Sequence, residues 1–171
     1  ITLSQAYSVK GQFIASGLTS NNVPGNWRPY ETIIGYIPTL SLKKGLSNDR
    51  LVDTEWSYHL KRYYTGDSLY NFISNNHRLW IRYSSDQIEA RFGIQKIVFG
   101  PTQILRPLSW FDTFDLKDPT GQTNGVESFR LRWFPSNNIA IWSWLINNDV
   151  DTLSFGGRAE VSSKIGEFGF T

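Results

Sequence analysis

The sequence contains no cysteine and no methionine. The first absence removes disulfides, thiol catalysis and zinc–thiolate sites from consideration. The second leaves the chain without an initiator residue. The chain also opens in one strand-like run, ITLSQAYSVKGQF, and closes in another, KIGEFGFT, so we read it as an internal fragment or a processed product. Charge is sparse: 19% of residues are charged, against roughly 25% in ordinary soluble domains. No run of lysine and arginine forms a nucleic-acid stripe, and a net charge of +2 implies no strongly charged partner. No apolar run of about 18 residues occurs, which excludes a transmembrane helix. A serine elbow and a Gly-rich phosphate loop are also missing, and neither an enzyme nor a cofactor is expected.

Aromatic residues are abundant. They make up 15% of the chain, with seven Trp, eight Tyr and eleven Phe among 171 residues. They recur with a period of two, the signature of strands, whose side chains alternate between faces. In the stretch from Asp86 to Phe134, Ile88, Ala90, Phe92 and Ile94 oppose Glu89, Arg91, Gly93 and Gln95. After a long loop, Phe129, Leu131 and Trp133 oppose Ser128, Arg130 and Arg132. Upstream, Trp56, Tyr58, Leu60 and Tyr64 oppose Asp53, Glu55, Ser57, His59 and Lys61, and Leu79, Ile81 and Tyr83 oppose Arg78, Trp80, Arg82 and Ser84. Residues 3–16, 30–43 and 154–161 alternate similarly, while 139–147 are apolar on both faces. Pro38 lies within the second run and lacks an N–H to donate, which argues for a bulge or an edge there. Residues 65–77, rich in Ser, Asn and Gly, read as a connection whose centre, Leu69–Ile73, forms a helical turn or a group of lipid-edge aromatics.

The fold class that follows is all-β and antiparallel, one domain over residues 1–171, with about eight strands and one long inserted loop. Several runs reach ten to sixteen residues, whereas strands in globular proteins are mostly about five or six. A tilted strand crossing a bilayer needs about 9–11 residues. Long alternating strands rich in Trp and Tyr fit part of a transmembrane β-barrel. Trp27, Tyr30, Trp56, Tyr63, Tyr64, Trp142 and Trp144 then suit an interfacial aromatic belt. A soluble β-sandwich alternates in the same way, its apolar faces packed together. In that alternative the aromatics bind glycans, and a Trp on the polar face, such as Trp80, favours sugar contact.

If the polar faces line a lumen, the lining residues are Lys61, Arg78, Arg82, Glu89, Arg91, Gln95, Arg130, Arg132, Arg158 and Glu160. Basic residues outnumber acidic ones on these faces, and rings of Arg and Lys favour anions in pores. Cross-strand ion pairing, with Glu89 or Glu160 beside an arginine, is the structural counterpart of the same pattern. The loop within residues 98–125 exceeds the usual ceiling of roughly 12–15 residues for structureless loops, and such loops are usually functional. Trp110, Phe111 and Phe114 give it an apolar anchor; Arg106, Asp112, Asp115 and Asp118 give it charge. Its aspartates could serve as paired carboxylates or calcium ligands, but in a Pro/Gly loop such residues more often cap turns. His59 and His77 stand alone in sequence, without metal-ligand spacing, so no metal site is assigned.

The stretch carrying Gly93, Gln95, Lys96, Phe99-Gly100, Leu105-Arg106-Pro107-Leu108, Trp110-Phe111-Asp112, Asp118-Pro119 and Gly125-Val126, followed by a strand and a hairpin, resembles the bacterial outer-membrane porin-like barrel proteins. It is similar in layout to the alginate-export type of porin, and the likeness covers roughly residues 78–150. The resemblance implies a bacterial outer-membrane location, contact with the lipid bilayer, and passive passage of a small hydrophilic solute. It further implies that Arg106, Trp110, Asp112, Asp115 and Asp118 belong to a loop that constricts or caps the channel, and that further strands complete the barrel.

Overall fold

The computed structural model describes residues 5–21, 28–46, 49–97, 122–148 and 152–171. These residues form a single antiparallel sheet and no helix. Its strands are β1 (Gln5–Thr19), β2 (Tyr30–Gly45), β3 (Leu51–Thr65), β4 (Ser68–Ser84), β5 (Ile88–Gln95), β6 (Val126–Ser136), β7 (Ile139–Asn148), β8 (Thr152–Ser163) and β9 (Gly166–Phe170). They lie in sequence order, each hydrogen-bonded to its chain neighbours. Among the described residues no pairing joins β1 to β9, so the sheet is not a closed barrel, and it is one sheet rather than the two packed layers of a sandwich. Strands β1 to β4 run 15–17 residues.

The ninth strand is β9, in the closing run KIGEFGFT, while residues 68–77, expected as a connection, are instead the first part of β4. Gly66, with φ of 61°, makes the tight turn after β3, and the chain pairs again at once, Thr65 opposite Ser68. Two register shifts follow, between Ser57 and Tyr58 and between Tyr63 and Tyr64. The first leaves His77 as an extra residue on β4 and turns both His77 and Arg78 into buried positions. Pro38 corrects a second expectation. It lies on β2, between β1 and β3, and the β2–β3 ladder resumes beyond it in the same register, Tyr36 opposite Leu60 and Thr39 opposite Ser57. The missing N–H therefore interrupts the ladder at Ile37 and Pro38 without a bulge and without an edge.

The burial of the two faces is the reverse of a soluble domain. Among the described residues six large apolar side chains are buried and thirty-one exposed, Phe155 at 86% and Val9 at 73% among them. The buried side chains are largely polar: Lys61 is 1% exposed and Gln95 0%, with Ser57, His59, His77, Arg78, Ser128 and Arg130 also buried. We call this polar face the inner face. Gly35 makes room on it, since a Cβ there would stand 2.7 Å from Cγ of its register partner Lys61. The inner apolar residues are few: Ile97, Trp144 and Ile146 form one small cluster, with Val126 and Trp142 packed against it.

Candidate functional site on the inner face

Cross-strand register decides which polar residues meet. Asp53 on β3 lies opposite Arg82 on β4, Arg82 opposite Arg91 on β5, and Arg91 opposite Arg130 on β6. The next row sets Glu89 opposite Arg132, and Trp142 between Arg132 and Arg158. Three arginines side by side on neighbouring strands repel, and like charges directly opposite are destabilising. Two carboxylates hold the group together. Arg82 donates to both oxygens of Asp53, at 2.8 and 2.7 Å, the bidentate geometry that suits a guanidinium best. Glu89 reaches four guanidinium groups at once: Arg130 at 3.0 Å, Arg82 at 3.4 Å, and Arg91 and Arg132 at 3.9 Å each.

Aromatic rings fix the planes of these side chains. Arg91 lies 4.4 Å from the centre of the Trp80 ring, and Arg132 lies 4.1 Å from that of Trp142. Arg130 also faces Trp142, Arg132 also faces Phe134, and Arg82 also faces Trp80. Such stacking is worth roughly 0.5–2 kcal/mol per pair, more when desolvated. Beside this cluster Arg158 donates to Glu160 at 2.7 Å and to Thr171 at 2.9 Å.

A second group lies further along the inner face. The bulge at His77 brings its ring to 5.3 Å from that of His59, edge to face, so the two histidines that stand alone in sequence are neighbours in space. Among the described residues no group of three or more His, Asp or Glu gathers as for a metal. Arg78 donates to the carbonyl of Thr123 at 2.7 Å and to that of His77 at 2.6 Å. Gln95 donates to the Ser128 carbonyl at 3.1 Å. Nearby is a cavity of about 460 Å³, lined from all of the first four strands, by Gln12, Thr39, Ser57 and Arg78 among others, and by Lys96 and Gln122. Gln122 reaches Gln12 on β1. Ile97 and Thr123, on either side of the long loop, are 2% and 1% exposed. Both described ends of that loop therefore lie over the inner face.

All ten residues expected to line a lumen occupy this one face: Lys61, Arg78, Arg82, Glu89, Arg91, Gln95, Arg130, Arg132, Arg158 and Glu160. The loop residues Arg106, Trp110, Asp112, Asp115 and Asp118 lie outside the described residues, as does Trp27. Trp142 and Trp144 are corrections: expected in a lipid-facing belt, they point inward, Trp144 buried in the small apolar cluster and Trp142 beneath arginines. Trp56, by contrast, is on the outer face and exposed. Asp53, on the polar face but outside the ten residues expected to line a lumen, joins the site. Its signal was its place on the polar face of β3, but only its register with Arg82 gives it a role.

These observations define the class as an all-β, single-sheet antiparallel protein with a polar inner face and an apolar outer one. No protein-family model, curated protein or solved structure matches the chain.

Proposed function

We propose that the chain is part of an outer-membrane, porin-like channel through which small hydrophilic solutes pass passively. The observation that carries this reading is the inversion of burial: apolar side chains exposed along the outer face of every strand, charged ones buried on the inner face. Monomeric soluble proteins rarely expose an apolar patch beyond a few hundred Å², whereas a barrel in a bilayer needs an apolar band outside and a polar lumen. Strand lengths of 8–17 residues over β1 to β8 suit a tilted crossing of the bilayer. The inward position of Ile97, Gln122 and Thr123 supports a loop that narrows the lumen.

The test is membrane fractionation of the native protein, with boiled and unboiled samples compared by gel migration. Outer-membrane recovery with heat-modifiable migration is the expected result; full recovery in the soluble fraction with no shift contradicts it. A second reading, a surface glycan-binding β-protein, is favoured by Trp80, which, like Trp142, lies on the polar face. Arg91 already stacks on that ring, so glycan arrays are the sequel only if fractionation gives a soluble protein.

A further inference from the structure

The arginine cluster has more positive charge and more hydrogen-bond donors than its own carboxylates satisfy. Arg82, Arg91, Arg130 and Arg132 face Asp53 and Glu89, and among the described residues no other carboxylate pairs with them. Asp53 is taken up by Arg82 in two hydrogen bonds, which leaves Glu89 to serve the remaining three. The Nε–H groups of Arg91, Arg130 and Arg132 are buried and have no acceptor among the described residues. Arg130 is 8% exposed as a whole. Buried donors without acceptors are costly, and the zone lacks both acceptors and negative charge. Trp80 and Trp142 hold the guanidinium planes in place, so their N–H edges are set before any solute arrives. The side chains of Arg82 and Arg132 stay 26% and 25% exposed, which leaves the cluster open to a solute from the inner side.

We propose that this cluster binds a small oxyanion, carboxylate- or phosphate-bearing, and that Glu89 is a built-in carboxylate that competes with it for the same guanidinium groups. The proposal deepens the channel reading and rests on it for the access of solute to the inner face. A guanidinium edge matches two oxygens of a carboxylate or phosphate, and Glu89 already uses that chemistry within the chain. An incoming anion must displace part of what Glu89 holds, which keeps binding weak. Weak binding suits a passage site, where a solute must leave as readily as it enters. Glu89 is thus a specificity-determining residue, setting affinity by occupying the site it shares with the ligand.

The test uses the purified full chain in detergent, titrated with sodium phosphate, sodium acetate or sodium chloride at matched ionic strength. Tryptophan emission reports the stacks on Trp80 and Trp142, and the unfolding midpoint reports binding independently. Phosphate, acetate or both should shift emission and midpoint beyond the chloride control, and which of them acts assigns the solute's acidic group. Glu89→Gln should tighten the apparent Kd on the order of tenfold, one like charge removed from the site, and Arg132→Gln should weaken it by a similar factor, about 1.4 kcal/mol each way. Lys164→Gln, on the exposed β8–β9 turn, should change neither. Oxyanions indistinguishable from chloride overturn the proposal, and so does Glu89→Gln binding no tighter than wild type. Should Glu89→Gln fail to fold, equal affinity of wild type and Arg132→Gln decides against it. Oxyanion binding without outer-membrane recovery would keep this site and remove the channel, and the reverse pattern would do the opposite.

Discussion

Asp53 and Arg82 are register partners on β3 and β4, and they close a two-point ion pair at 2.8 and 2.7 Å. The pair anchors one end of a row that continues through Arg91 and Arg130. Asp53→Asn removes the charge and one strong acceptor while Arg82 remains among like charges. We expect a loss of about 2 kcal/mol, the scale of hydrogen bonds to charged groups, read as a lower denaturant midpoint with an unchanged slope. No change would mean that Glu89 alone suffices to hold Arg82.

Gly93 sits within β5 at φ 116°, and a Cβ there would fall on the carbonyl oxygen of Leu79 on the neighbouring strand. Both the backbone conformation and the close approach exclude a side chain. Gly93→Ala should destabilise the sheet by about 2–3 kcal/mol, seen as a lower temperature of the gel-shift transition. An unaffected transition would show that β4 and β5 separate at this point without cost.

If lipid covers the outer face and water the inner one, a pair of substitutions separates them. Ile81 is 52% exposed on the outer face. Ile81→Arg would be nearly neutral if water covered that face. Against lipid it should cost about 2–4 kcal/mol near the bilayer midplane. Ser41→Lys, on the inner face opposite Glu55, should leave stability within about 0.5 kcal/mol, as substitutions away from special features do. Refolding into lipid vesicles under a urea series measures both; equal, small effects would refute lipid contact at β4.

Among the described residues, strands β1 to β8 place nine basic residues on the inner face, from Lys10 on β1 to Arg158 on β8, against the acidic residues Glu31, Asp53, Glu55, Glu89 and Glu160, and Glu167 on β9 adds a sixth carboxylate. Reversal potentials across a planar bilayer in a salt gradient should therefore show preference for anions. Arg132→Gln should reduce that preference, and a wild-type preference for cations would refute it.

Much of this arrangement is legible in the sequence because a period of two is a local property. Glu89, Arg91 and Gln95 share a face for the same reason that Ile88 and Phe92 share the other, and no tertiary knowledge is needed. Residues 68–77 hide their strand because the outer face there carries Ser74 and Asn76 in place of apolar groups. Those residues are satisfied by aromatics across the ladder: the Tyr58 hydroxyl meets Ser74 at 3.0 Å, and the Trp56 indole donates to Asn76 at 3.1 Å. Alternation fails where polar groups find partners on the apolar side. On β7 it fails for the opposite reason, since Trp144 and Ile146 pack inward on Ile97, 47 or more residues away in sequence. The meeting of His59 with His77 depends on a bulge, and the reach of Glu89 to four arginines depends on diagonal contacts between strands. Neither is a property of any single strand.

The neighbour-to-neighbour order of the sheet has a kinetic consequence. Each strand meets the one just before it, so ordered structure can grow along the chain one hairpin at a time, and most steps close only a short segment. The union of β5 with β6 is the exception, since Gln95 and Val126 must come together across thirty intervening residues. Loop-closure entropy rises only with the logarithm of length, about 0.6 kcal/mol for each doubling. That junction is consequently a modest barrier but the highest of its kind in the series. It divides the sheet into two runs of short connections, β1 to β5 and β6 to β9, and the arginine cluster is assembled only when the two join.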